Sequence, residues 1–164
     1  MKKILLSAAV RALGSAAAFA GNNMGIGVNI GAAPVIEGAG SPTNFILGVK
    51  YQFQPTDLIR LEADADFGLK NKGTSTFNIM ANVHFMIPVA NQFSMYPLAG
   101  IGYGRLSHDV GGNVNATFDK FAFNIGVGAE YDITKNFGVN FEFKYQYMAD
   151  YNRLPILVGA TYKF

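Results

Sequence analysis

Cysteine is absent from the 164 residues, which excludes a disulfide framework and any thiolate metal site. Tryptophan is absent too, and only 15% of the residues are charged although half are hydrophobic. Beyond residue 20 there is no run of 18 uncharged, apolar residues, so transmembrane helices are excluded. A chain this apolar can then cross a membrane in one way only, as a closed barrel, because lipid cannot satisfy the polar groups of an open sheet edge. No basic stripe interleaved with aromatics is present, so nothing points to nucleic acid.

What is present begins with a secretory leader. Lys2 and Lys3 form a positive start, Ile4 to Val10 open an apolar segment, and Ala18-Phe19-Ala20 is a small-x-small cleavage site. Arg11 interrupts the apolar stretch, where a charge costs roughly 2.5–3.5 kcal/mol at a helix centre. The reading is a cleaved signal over residues 1–20, with cleavage set by Ala18 and Ala20, and a barrel over 21–164. Loss of Lys2, Lys3 and Arg11 turns the formal charge from +2 to −1.

The rest of the chain alternates with period two. Eight segments are read as strands: Met24 to Gly31, Asn44 to Phe53, Leu58 to Leu69, Phe77 to Ile87, Phe93 to Arg105 (interrupted by Pro97), Phe121 to Tyr131, Phe137 to Tyr147 and Leu154 to Phe164. Most are near the ~9–11 residues that a tilted strand needs to cross a bilayer. Gln54–Asp57, Pro88–Gln92 and Asp132–Asn136 read as short turns. Residues 32–43 and 106–120 read as long loops, with intermediate ones at Lys70–Ser75 and Met148–Arg153. Short turns on one side and longer loops on the other predict an outer-membrane barrel with both termini periplasmic.

Alternation alone also suits a soluble barrel, and three features decide against it. The polar face is crowded with glycine, which fits a narrow eight-stranded lumen. The apolar face carries more Phe and Tyr than such a lumen could hold. Those aromatics gather near strand ends: Tyr51, Phe53, Phe85, Phe93, Tyr131, Phe137, Tyr162 and Phe164 by the turns, and Phe45, Phe67, Phe77, Tyr103, Phe121, Tyr145 and Tyr147 by the loops. Two aromatic belts match the two membrane interfaces. The expected fold is all-β, an eight-stranded antiparallel up-and-down transmembrane β-barrel.

The leader, the Gly-Ile-Gly-Tyr-Gly run at 100–104 and the final Tyr162-Lys163-Phe164 give the chain a resemblance. It resembles the small outer-membrane barrels of the OmpA, OmpX and opacity-protein type over its whole mature length. The resemblance implies contact with outer-membrane lipid and lipopolysaccharide. It also implies a terminal aromatic read by the barrel-assembly machinery, with Phe164 and Tyr162 as that signal.

Several residues on the polar face carry charge: Lys50, Arg60, Glu62, Asp64, Asp66, His84, Glu130, Glu142 and Lys144. Buried charges must be paired or solvated. They read as a plug of salt bridges, or else as the lining of a narrow ion path. A turn that sets Phe53 opposite Ile59 would put Lys50 opposite Glu62. Glu62, Asp64 and Asp66 share one face and offer hard oxygen ligands, but they match no calcium loop, and no cofactor is implied. Asp66-Phe67-Gly68 lacks every other element of a kinase. Ser107-His108-Asp109 has the residue types of a triad, but in adjacent positions that do not hydrogen-bond in series. The chain therefore reads as a non-enzymatic surface barrel serving envelope integrity or recognition, with a host or surface ligand taken at 32–43 and 106–120. A small-solute pore is the alternative, and a lipid-modifying enzyme is the reading least supported.

Overall fold

The computed structural model describes residues 23–37, 43–71, 73–109, 115–149 and 151–164. The leader and its cleavage site at Ala18 and Ala20 lie outside them. All regular structure among the described residues is β. The strands are β1 (Met24–Glu37), β2 (Thr43–Thr56), β3 (Ile59–Asn71), β4 (Thr74–Phe85), β5 (Ile87–Ala90), β6 (Phe93–Asp109), β7 (Asn115–Thr134), β8 (Phe137–Met148), β9 (Asn152–Arg153) and β10 (Ile156–Lys163).

Each long strand pairs antiparallel with its sequence neighbour, and β10 returns to β1, from Gly25 opposite Lys163 to Ala32 opposite Ile156. The sheet therefore closes. β4 and β5 form one stave broken at Met86, and β9 continues into β10, so eight staves surround the lumen.

Pro97 does not interrupt its own strand. β6 runs unbroken from Phe93 to Asp109, and the break falls on the facing stave. Proline has no N–H to give the ladder. Pairing between the two staves lapses between His84–Leu98 and Ile87–Met95, and Met86 turns its N–H to Leu58 O instead (2.7 Å).

Alternation sets the faces. Outward positions along β7 (Phe121, Phe123, Ile125, Val127, Tyr131) are exposed, whereas Ala122, Asn124 and Glu130 between them are buried. Tyr103 faces Phe121 across β6 and β7, and ten residues away Phe93 faces Tyr131. Ten residues at about 3.3 Å each, tilted by about 40°, rise about 25 Å, the height of the apolar band of such barrels. The two aromatic belts thus stand one membrane thickness apart.

The two ends differ from the sequence reading in detail. Three turns lie at one end, at Asp57–Leu58, Asn91–Gln92 and Lys135–Asn136, together with both the Met24 and Phe164 ends of the barrel. At the other end the strands run past the expected loop boundaries. β1 continues to Glu37, β6 to Asp109, and β7 starts at Asn115, so much of 32–43 and 106–120 is paired strand. The Lys70–Ser75 connection is likewise tight: Asn71 pairs with Thr74, and Gly73 takes a left-handed φ of 82°. Polar residues conceal the extensions of β6 and β7, because above the membrane neither face needs to be apolar, whereas the extension of β1 is largely apolar but contains Pro34.

Candidate functional site: the barrel lumen

All nine charged residues read from the polar face have buried side chains that point into the lumen. They come from β2 (Lys50), β3 (Arg60, Glu62, Asp64, Asp66), β4 (His84), β7 (Glu130) and β8 (Glu142, Lys144). They fall into three tiers along the axis.

At the turn end, Arg60 donates to both oxygens of Glu130 (2.5 and 2.8 Å). Gln54 accepts from the same guanidinium (3.2 Å), and the guanidinium carbon stands 5.9 Å from the centre of the Tyr96 ring. Lys163 Nζ joins Glu130 to Asp132 (2.7 and 2.5 Å). Below this tier opens a polar cup of about 280 Å³, lined in part by Gln52, Gln54, Arg60 and Lys163. Bidentate guanidinium–carboxylate pairing holds both position and angle, so the cup ends at a fixed bar.

The middle tier is a mesh. Gln52 donates to Glu62 Oε2 (2.8 Å), which also has Lys50 Nζ at 3.9 Å. Lys50 donates to Asn140 Oδ1 (2.7 Å), and Asn140 to Glu142 Oε1 (3.1 Å). Tyr96 donates its hydroxyl to the same Glu142 oxygen (2.8 Å) and stacks on His84 with ring centres 4.7 Å apart. Lys144 Nζ is 2.8 Å from Glu142 Oε2 and 3.7 Å from Asp64 Oδ2. Asn82 donates to Asp64 (2.5 Å).

The loop end holds Asp66 and a cation that sequence reasoning missed. Arg153, read as part of a connection, is fully buried on β9 and donates to Thr76 Oγ1 (2.9 Å) and to Gln146. It lies in the irregular stretch after a turn, where parity gives no signal. Toward this end Val35, Met80, Ala122, Met148 and Tyr151 pack together as an apolar lid. Tyr151 donates to Asn44 Oδ1 (3.0 Å), whose amide donates to Leu69 O and Thr74 O (both 3.0 Å).

The expected register between β2 and β3 requires correction. Phe53 faces Leu61 rather than Ile59, and Lys50 faces Asp64 rather than Glu62. β2 runs on through Pro55 to Thr56, a bulge separates Phe53 from Thr56, and Thr56 Oγ1 accepts the Ile59 N–H (3.1 Å). The turn therefore shrinks to two residues and the pairing slides by two, which preserves the faces. Lys50 and Glu62 still meet, but diagonally.

The acidic trio of β3 does not converge. Glu62 instead meets His84 and Glu142, from β4 and β8, with ligand atoms within 4.8 Å of one another. Ser107, His108 and Asp109 occupy consecutive positions on β6. Outside the membrane band, Arg105 forks onto Asp119 (2.7 and 3.0 Å) on the exposed hairpin of β6 and β7, and this hydrogen bonding holds the Asp119 carboxyl below its ordinary range.

The comparisons with known proteins fit this geometry. The crystal structure of Neisserial surface protein A is similar, at 16% identity and a TM-score of 0.77, over 86% of this chain and 97% of that one. Ail of Yersinia pestis (16%, 0.63, 88% and 100%) and the N-terminal barrel of Pseudomonas aeruginosa OprF (16%, 0.64, 85% and 97%) are similar in the same way. No curated protein matches the sequence. At these identities the solved structures speak for the fold alone. The family described as outer membrane protein beta-barrel domain matches residues 6–164, which carry both the closed sheet and its charged lumen, so the chain belongs to that family of bacterial outer-membrane barrels.

Proposed function

We propose that this is a non-enzymatic surface barrel that supports envelope integrity or recognition through its loop end. One observation carries the proposal: the lumen is filled along its height. An ion pair, a polar mesh and an apolar lid succeed one another, and the β6–β7 hairpin stands beyond them. A rigid wall that carries longer connections at one end is a scaffold for binding, since recognition concentrates on loops held by such walls. On this reading the turn end, with both termini, is periplasmic. Residues 32–43 and 106–120 meet the outside, and Tyr162 and Phe164 serve barrel assembly. Both are partly exposed or exposed on the barrel's outer surface, their rings 6.4 Å apart.

The polar cup favours the second reading, a small-solute pore, because it admits water to the level of Arg60. Refolded chain in a planar bilayer separates the two. A folded, heat-modifiable barrel with no steady conductance supports the surface role. Stable channels whose ion selectivity changes on Glu62→Gln would replace it with the pore. Release of acyl chains from lipopolysaccharide by the purified barrel would overturn the non-enzymatic part.

A further inference from the structure

Glu62, His84 and Glu142 reach one point in the lumen from three strands, and each is 2% exposed or less. The polar atoms there are incompletely satisfied. Both ring nitrogens of His84 lack a hydrogen-bond partner, as does Glu62 Oε1, 3.6 Å from His84 Nε2. Buried polar groups in folded proteins are nearly always paired, and an exception asks for a water or an ion. The imidazole is also fixed in place: it stacks on Tyr96, which itself bonds to Glu142.

We propose that Glu62, His84 and Glu142 form a binding site for a divalent transition-metal ion of the zinc class. One imidazole and two carboxylates are ligands for such an ion. Bonds of about 2.0–2.2 Å reach at most about 4.4 Å between opposite ligands, so the side chains close by a few tenths of an ångström. Lys144 now occupies Glu142 Oε2, and it has somewhere to go: Asp64 Oδ2 is 3.7 Å from its ammonium, and Asp64 Oδ1 and Asp66 Oδ1 have no hydrogen-bond partner. Lys50 stays on Asn140.

The charge balance agrees. Among the described residues the lumen buries four fixed cations, Lys50, Arg60, Lys144 and Arg153, against five carboxylates, Glu62, Asp64, Asp66, Glu130 and Glu142. Lys163 and Asp132 offset each other at the mouth. One negative charge is left over. Around the ring stand Arg60 and Glu62 of β3, Tyr96 of β6, and Glu142 and Lys144 of β8, with Lys50 of β2 beyond Glu62. Gln52, which lines the cup, bonds directly to Glu62.

Refolded chain in detergent micelles is titrated with Co²⁺ as a visible-absorption probe and then with Zn²⁺ in competition. Binding of one equivalent is expected. His84→Gln and Glu142→Gln should each weaken it by more than about a hundredfold, since losing an outer-shell partner alone costs 10–100-fold. His108→Ala, at the other histidine, should leave it intact. Lys144→Met, which removes the competing ammonium, should tighten it, a gain that a folding defect cannot mimic. The absence of stoichiometric binding to the folded wild-type barrel would overturn the site. So would binding that survives His84→Gln, or binding that Lys144→Met weakens while the gel still shows a folded barrel.

Discussion

Replacing Glu130 with Gln tests whether the turn-end bar stabilises the barrel. Glu130 accepts from both arms of Arg60 at 2.5 and 2.8 Å, with the side chains 3% and 4% exposed. The amide keeps the shape and removes the charge, so Arg60 stays buried opposite a neutral group. Removing one partner of a buried pair costs about 3–5 kcal/mol, against about 0–1 for an exposed pair. The cup brings water to Arg60, and Gln54 Oε1 stays within 3.2 Å, which places this case at the lower end. About 3 kcal/mol is a more than hundredfold loss in the folded-to-unfolded ratio. The assay is urea unfolding in lipid vesicles, followed by tyrosine emission, since the chain has eight Tyr and no Trp, and by the heat-sensitive gel band. Arg60→Met with Glu130→Met should recover most of the loss, because apolar replacement of a whole buried pair is often neutral. A loss below about 1 kcal/mol in Glu130→Gln, or a double variant no better than the single one, would refute the argument.

Three further outcomes follow from the geometry. A Cβ added at Gly128 would stand 2.4 Å from two ring atoms of Tyr96, so Gly128→Ala should push the ring off His84. Overpacking of this kind costs about 1–3 kcal/mol, and a urea midpoint equal to wild type would show that the ring is not confined. Val127 faces lipid midway between the two belts on β7, whereas Ile133 lies beyond the turn-side belt. Val127→Arg should cost about 2–4 kcal/mol and Ile133→Arg about 0–1; equal costs would mean that the belts do not mark the interfaces. Arg105→Ala should let the Asp119 carboxyl return toward its ordinary range, read by carboxyl NMR titration, with no change in unfolding midpoint because both groups are exposed. Any contribution from that pair is present above the ordinary carboxyl pKa and fades as the pH falls through the lowered one. A midpoint that drops at neutral pH would show the hairpin pair to be structural.

Period-two alternation was enough to count the staves and to put nine charged residues on the inner face, because one buried face constrains every second residue. Three things were not legible. The slide at Phe53 and Thr56 comes from a bulge, and a bulge leaves the alternation on either side intact. The partners across the lumen join strands that are not neighbours in the sheet, as Arg60 of β3 with Glu130 of β7 and Tyr96 of β6 with Glu142 of β8. No ladder rule connects these residues. Tyr96 was within reach, since it shares parity with Gly100 and Gly102, but reading Pro97 as a break concealed it. Arg153 and the polar extensions of β6 and β7 carry no sustained hydrophobic alternation.

The seam between β1 and β10 has a consequence for how the barrel can form. It sets Gly25 opposite Lys163, so the last ladder joins the two most distant parts of the described chain. Until that ladder closes, the charged groups of the inner wall have no enclosed space in which to meet partners from opposite strands. An incomplete cylinder keeps contacts within a strand or between neighbours, such as Lys144 with Glu142 and Gln52 with Glu62, but gains neither the Arg60–Glu130 pair nor the Tyr96–Glu142 bond. Contacts this remote in sequence make closure slow. The interval before closure is when the chain depends on being held, and when a destabilised variant would be lost to degradation rather than inserted.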